Sequence, residues 1–127
     1  MLELDRVYEI AIRVKNLARA EPFYCDVLGL TPGLRDERRN WLFLHVGGRA
    51  GMVVLQEDPG DWPLQHFAFQ VAEPEIARAA RLLGDAGIAV RGPIHHEWMG
   101  ANSLYFDDPD GNELELCAVA ESVRERE

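Results

Sequence analysis

Glu9-Ile10-Ala11-Ile12-Arg13-Val14 and His66-Phe67-Ala68-Phe69-Gln70-Val71 carry the same alternation of large apolar side chains with small or polar ones, 57 residues apart. A period of two places alternate side chains on opposite faces of an extended chain, so both segments read as strands with one buried face. A repeat at close to half the chain length points to a duplicated supersecondary unit.

Working outward, a helical stretch follows each strand. Leu17 to Leu28 is closed by Gly29, and Glu75 to Ala86 by Gly87, glycine being suited to the left-handed residue that ends a helix. Asn16 is placed to cap the first helix, whereas Pro22 delays or kinks it. In the second, Pro74 falls in the first turn, and Ile76, Ala80 and Leu83 form the buried stripe. Trp41 to Val46 with Met52 to Gln56, and Ser103 to Phe106 with Glu113 to Cys117, then read as strands. Gly47-Gly48 turns the chain between the first two, and Asp107-Asp108-Pro109-Asp110-Gly111 between the second two.

The order is βαβββ twice, an α+β fold with two modules forming a curved mixed sheet around a central cup. Module 1 covers about 5–57, a linker about 58–64, module 2 about 65–118 and a charged tail 119–127. The run Glu121-Ser122-Val123-Arg124-Glu125-Arg126-Glu127 has no apolar stripe and is expected as a frayed end or a short solvated helix.

Composition excludes several partners. The chain has 22 acidic and 13 basic residues among 127, a formal charge of −9 that repels phosphate backbones and anionic lipid surfaces. With 47% hydrophobic residues it has enough apolar surface for a core without crosslinks. Cys25 and Cys117 are too few and too far apart for a disulfide framework, and read as apolar fillers in a reducing compartment. No stretch reads as a secretion signal or membrane span, so the cytoplasm is the expected location.

Strand periodicity also sorts the polar residues. Ile10, Ile12 and Val14 face the helix, leaving Glu9, Ala11 and Arg13 opposite; Phe67, Phe69 and Val71 likewise leave His66, Ala68 and Gln70. Leu114 and Leu116 leave Glu113, Glu115 and Cys117. If the polar faces line a cup, it holds Glu9, His66 and Glu115, groups that bind a divalent cation once the imidazole is neutral and the carboxylates ionised. A cation also relieves the cost of burying two carboxylates near one another.

These residues resemble the vicinal oxygen chelate superfamily, which includes glyoxalase I, type I extradiol dioxygenases, methylmalonyl-CoA epimerase, fosfomycin-resistance transferases and bleomycin-binding proteins. The resemblance rests on Ile12-Arg13-Val14-Lys15-Asn16-Leu17, Phe23-Tyr24 with Val27-Leu28-Gly29-Leu30, and His66-Phe67-Ala68-Phe69. It continues through Leu104-Tyr105-Phe106-Asp107-Asp108-Pro109-Asp110-Gly111-Asn112 into Leu114-Glu115-Leu116.

The resemblance implies metal ligands at Glu9, His66 and Glu115. Most metal-dependent members have His at the first of these. The two-carboxylate, one-imidazole set here suits a single divalent ion: Fe, Mn, Zn, Ni or Mg. A fourth family position, a ligand or base in glyoxalase I and the epimerase, falls near Val53 or Val54, which have no donor; Gln56, on the face of Val54, is the nearest candidate. His96, Tyr105 and Glu115 match the spacing at which dioxygenases place a His and a Tyr beside the substrate, nine residues apart with the ligand Glu ten further on.

His96 and Tyr105 are thus the candidate catalytic residues, with the adjacent His95 and His96 expected in a loop. Arg13 either holds an anionic substrate or pairs with Glu9. The implied protein is a metal-dependent, dioxygenase-like enzyme, commonly homodimeric in the family, acting on a small molecule that chelates the metal through adjacent oxygens. A glyoxalase-like lyase or epimerase, or a metal-free drug-binding protein, are the alternatives.

Overall fold

The two matching segments do form strands, β1 (Glu9–Val14) and β5 (His66–Gln70), each beginning a four-stranded mixed sheet. The computed structural model describes residues 1–48 and 51–120. It divides between Pro63 and Leu64 into two compact units.

In the first unit β1 is followed by α1 (Leu17–Pro22) and the strands β2 (Thr31–Asp36), β3 (Trp41–Val46) and β4 (Gly51–Glu57), in the spatial order β1-β4-β3-β2. In the second, β5 is followed by α2 (Glu73–Asp85), β6 (Val90–His96), β7 (Ala101–Asp107) and β8 (Glu113–Val119), in the order β5-β8-β7-β6. The first and last strands of each unit pair in parallel and the others antiparallel. The order is βαβββ in both units.

Asn16 caps α1 as its position suggests, its side-chain oxygen accepting from the Arg19 amide at 3.0 Å. Pro22 ends the α-helical hydrogen bonding, and Phe23–Val27 continues as one wider π turn in which the Leu28 amide donates five residues back to the Phe23 carbonyl at 3.1 Å. That turn buries Phe23 and Tyr24 edge-on to one another, with ring centroids 5.1 Å apart. Cys25 in the same turn is a free thiol held above its ordinary pKa by burial and then by Glu21 and Asp26.

Helix α2 starts two residues earlier than the sequence suggests and carries Glu73 and Glu75 in its first turn, where carboxylates favour the helix dipole. Its buried stripe is Ile76, Ala79 and Leu83; Ala80 sits at the margin, half-buried. The helix packs on β6, β7 and β8, and the core beneath it contains Leu104, Phe106 and Leu114, all fully buried.

The edge strands β2 and β6 are the elements for which the sequence gives no apolar alternation. Thr31-Pro32-Gly33-Leu34-Arg35-Asp36 and Val90-Arg91-Gly92-Pro93-Ile94-His95-His96 each contain a proline and a glycine, and each slips register there, between Pro32 and Arg35 and between Arg91 and Ile94. Proline is tolerated at an edge because no neighbouring strand needs its missing N–H.

Gly92 has φ +110°, and a Cβ there would lie 2.9 Å from the Ser103 carbonyl oxygen and 3.0 Å from the Ile94 nitrogen. Gly92→Ala is expected to destabilise the protein by about 1–3 kcal/mol, since both the backbone conformation and the space exclude a side chain. Chemical denaturation measures it; an unchanged midpoint would contradict the bulge described.

Strand β8 runs to Val119, so the tail expected from 119 begins as strand. Glu121 to Glu127 lie outside the described residues. Among the described residues no helix is long and apolar enough to cross a membrane.

Candidate functional site

The register of the second sheet sets one face. His66 lies opposite Glu113, itself opposite Asp107; Ala68 is opposite Glu115, which faces Tyr105 and, one strand on, Arg91. Cys117 is opposite Ser103, and Ala101 opposite His96. Because residues two apart share a face, His66, Glu113, Glu115, Ser103, Tyr105, Arg91 and His96 all stand on the side away from α2. The sheet that buries Leu104, Phe106 and Leu114 beneath the helix therefore gathers polar chemistry on its other side.

Within that face the contacts are specific. His66 Nε2 is 3.4 Å from Glu115 Oε1, and His66 Nδ1 is 3.2 Å from Glu113 Oε1. The second Glu115 oxygen accepts from the Ser103 hydroxyl at 2.7 Å, and Ser103 is fully buried. Glu115 retains only 10% of its side-chain exposure, whereas His66 retains 49%, so the carboxylate is set into the sheet and the imidazole stands at its surface. A buried carboxylate with one oxygen fixed by a hydroxyl presents the other in a defined direction.

His96 Nε2 is 2.8 Å from the Tyr105 hydroxyl. Burial, followed by the charges of Glu115 and Glu113 against a hydrogen bond with Ser103, raises the Tyr105 pKa above its ordinary value, so the phenol stays protonated at neutral pH. His95 and His96 belong to β6 and not to a loop, and alternation sends them to opposite faces. His95 Nδ1 meets Asn102 Oδ1 at 2.8 Å, and the Asn102 amide donates to Glu73 in α2, which makes His95 part of the helix attachment. Only His96 shares the face of His66 and Glu115.

The first unit presents its own polar face. Glu9, exposed, lies opposite Met52, as His66 lies opposite Glu113 in the second unit. Val54, opposite Ala11, holds the register position that Glu115 holds opposite Ala68, and it is a buried aliphatic residue without a donor. Gln56 lies one pair further along the same face, between Arg13 and Trp41. Arg13 is ion-paired with Asp58, the second of the sequence expectations for it but with a different partner from Glu9. The Gly60 amide first, and then Arg13, holds the Asp58 carboxyl below its ordinary pKa.

Among the described residues no group of three or more His, Cys, Asp or Glu side chains is assembled to hold a metal ion. The donors converge pairwise, His66 with Glu115. Sequence reasoning left three contributors without a role: Ser103, Glu113 and Arg91. Glu113 was legible as a same-face residue of Glu115 by alternation alone, whereas Ser103, on the neighbouring strand, is brought beside it by the register. Arg91 was not legible, because the bulge at Gly92 and Pro93 hides the strand that carries it.

Comparison with known proteins gives a coherent pattern. Residues 6–116 match the family described as Glyoxalase/Bleomycin resistance protein/Dioxygenase superfamily. The chain is 28% identical to a catechol-2,3-dioxygenase of Bacillus subtilis over 84% of its own length, but spans only 39% of that protein. It is 31% identical to the glutathione transferase FosA of Serratia marcescens, over 89% of this chain and 80% of that one. Among solved structures, an integron cassette protein from the mobile metagenome of the Halifax Harbour sewage outfall is 47% identical, with a TM-score of 0.88 over 91% of this chain and 100% of that one.

Proposed function

This chain belongs to the Glyoxalase/Bleomycin resistance protein/Dioxygenase superfamily, and from that premise we propose that it is a divalent-metal-dependent, dioxygenase-like enzyme acting on a small substrate through two adjacent oxygens. The observation that carries the reading is the placement of His66, whose two ring nitrogens each face a carboxylate, Glu113 at 3.2 Å and Glu115 at 3.4 Å. A neutral imidazole has one N–H, so it satisfies one of these contacts and turns a lone pair toward the other carboxylate. A cation held jointly by the ring nitrogen and the carboxylate oxygen removes that repulsion.

Two donors of suitable chemistry support this reading, an imidazole and a carboxylate that converge, with Ser103 orienting the carboxylate; among the described residues no third is assembled with them. His66 and Glu115 would hold the ion, and Glu9 is the further donor that the sequence offers. When bound, a divalent ion supplies a Lewis acid that stabilises negative charge on adjacent substrate oxygens. Tyr105, kept protonated, has one hydroxyl hydrogen: with His96 Nε2 protonated and donating to the phenol oxygen at 2.8 Å, that hydrogen is available to an oxygen of the substrate, and with Nε2 bare it is directed at the imidazole, which can take it up. A lyase or epimerase reading has less support, because Val54 offers nothing at the register position of Glu115 in the second unit and Gln56 lies one pair away.

A metal-free binding protein is the second reading, favoured by one observation: among the described residues no group of three or more His, Cys, Asp or Glu side chains is assembled to hold a metal ion. Protein purified without chelators decides between the two. We expect bound divalent metal by elemental analysis and a raised melting temperature with Mn²⁺, Fe²⁺, Zn²⁺, Ni²⁺ or Mg²⁺, the stabilisation reaching about 2.7 kcal/mol at a hundredfold excess over Kd. Absence of both bound metal and any thermal response would sink the enzyme reading and leave the binding protein.

A further inference from the structure

We infer that Asn112 is a positioning residue: held by Asp108 in the turn between β7 and β8, its side chain clamps the entry of β5 and so fixes the register that sets His66 beside Glu115. The clamp is a property of the metal-free chain, and only its effect on metal affinity rests on the metal-dependent reading.

β5 and β8 pair in parallel, so no hairpin joins them, and β5 lies at the edge of its sheet with β8 as its one strand neighbour among the described residues. Apolar alternation leaves that pairing open to a slip of two residues, because the side-chain period of a strand is two. Such a slip would keep Phe67 and Phe69 on the face of Leu114 and Leu116. It would also move Ala68 away from Glu115 and part His66 from Glu113 or from Glu115. The register is therefore chosen by something other than the hydrophobic pattern.

The turn 108–112 supplies the choice. The Asn112 side-chain oxygen accepts from the Gln65 backbone amide at 3.0 Å and from the Gln65 side-chain amide at 3.2 Å, while the Glu113 backbone amide donates to the Gln65 carbonyl at 2.9 Å. The residue before His66 is thus gripped from both of its backbone polar groups by the start of β8. Asn112 is fully buried and Asp108 nearly so. Asp108 fixes which way the Asn112 amide faces. One Asp108 oxygen accepts from the Asp110 and Asn112 backbone amides, each at 2.9 Å, and the other accepts from Asn112 Nδ2 at 2.9 Å, which turns the Asn112 oxygen to Gln65. The same turn closes the hairpin to β7, the Asp108 amide donating to the Asn112 carbonyl at 2.9 Å. One turn therefore sets both flanks of Glu115, with Ser103 and Tyr105 on β7 and His66 on β5.

The test compares Asn112→Ala, Asp108→Asn and the combined Asp108→Asn, Asn112→Asp exchange, by amide hydrogen exchange of the metal-free protein and by zinc and manganese titration. Alanine keeps the backbone bonds of the hairpin and deletes the clamp. Exchange of the β5 amides is expected to quicken by about 10- to 100-fold relative to those of β7, the effect of leaving a buried amide bond unmade. Metal affinity is expected to fall by about 10- to 100-fold, as for loss of a partner that orients a ligand. Asp108→Asn, which keeps the volume of the turn, is the milder variant should Asn112→Ala fail to fold. Its new amide group meets Asn112 Nδ2, and turning the Asn112 amide over sets a donor against the Gln65 N–H. The combined exchange restores a donor between the two side chains and an acceptor toward Gln65, and both readouts are expected to return to wild type. A general loss of stability quickens β5 and β7 alike, so equal changes in the two strands would overturn the inference. So would a combined exchange that leaves β5 unprotected, or a loosened β5 with unchanged metal affinity. Selective loosening of β5 in a protein that binds no metal upholds the clamp and overturns the metal-dependent function instead.

Discussion

Glu115→Gln is expected to abolish useful divalent-metal binding, lowering affinity by more than about 100-fold, while the metal-free protein melts no lower than wild type. The two halves of that result come from the same geometry. Glutamine keeps the volume of the side chain and a hydrogen bond to the buried Ser103 hydroxyl, now 2.7 Å from Glu115 Oε2, so nothing in the sheet is left unsatisfied. It removes a negative charge from a site with 10% side-chain exposure, where an uncompensated carboxylate costs free energy, so the apo fold loses nothing. It also removes the anionic donor facing His66 Nε2, and losing a ligand costs more than the 10–100-fold typical of an outer partner. Calorimetric titration and thermal melting measure both halves; retained affinity would take Glu115 out of the site.

Phe106→Ala is expected to cost about 3–5 kcal/mol, the largest stability effect of a single substitution considered for the second unit. Phe106 is fully buried on β7, on the face that α2 covers, with Leu114 opposite it on β8. Its neighbours are held by strand pairing on both sides of β7 and cannot collapse into the space vacated, which puts the cost at the high end for truncation. The melting temperature should fall by on the order of 10 °C or more. A fall of only a few degrees would mean that α2 closes onto the sheet more readily than its packing suggests.

What the sequence revealed follows from which interactions leave a periodic trace. β1 and β5 were legible because each turns alternate apolar residues to one face, buried at Ile12 and Val14 and half-buried at Phe67 and Phe69, and β8 because Leu114 and Leu116 alternate with Glu113 and Glu115. β2 and β6 were not, since an edge strand with a proline and a bulge is held by backbone bonds to one neighbour and needs no apolar alternation. The same cause hid Arg91 and misplaced His95 and His96 in a loop. Ala80 was taken for Ala79 because spacings of three and four from Ile76 both fall on the apolar side of a helix, and only packing decides between two alanines.

For the candidate site, alternation put His66 and Glu115 on one face and the register makes them neighbours. The hydroxyl of Ser103 and the carboxylate of Glu113 act through direction and distance, which periodicity does not encode. Arg13 illustrates the same limit: face-sharing suggested Glu9, whereas the chain after β4 supplies Asp58.

The prolines of β2 and β6 have a consequence at high protein concentration. A sheet edge with an unbroken row of amide donors and carbonyl acceptors templates intermolecular cross-β stacking. Pro32 and Pro93 each delete a donor, and the register slips beside them bend the strand, so a chain arriving at either edge finds an interrupted ladder. These two interruptions act as gatekeepers against fibrillar self-association along the β2 and β6 edges.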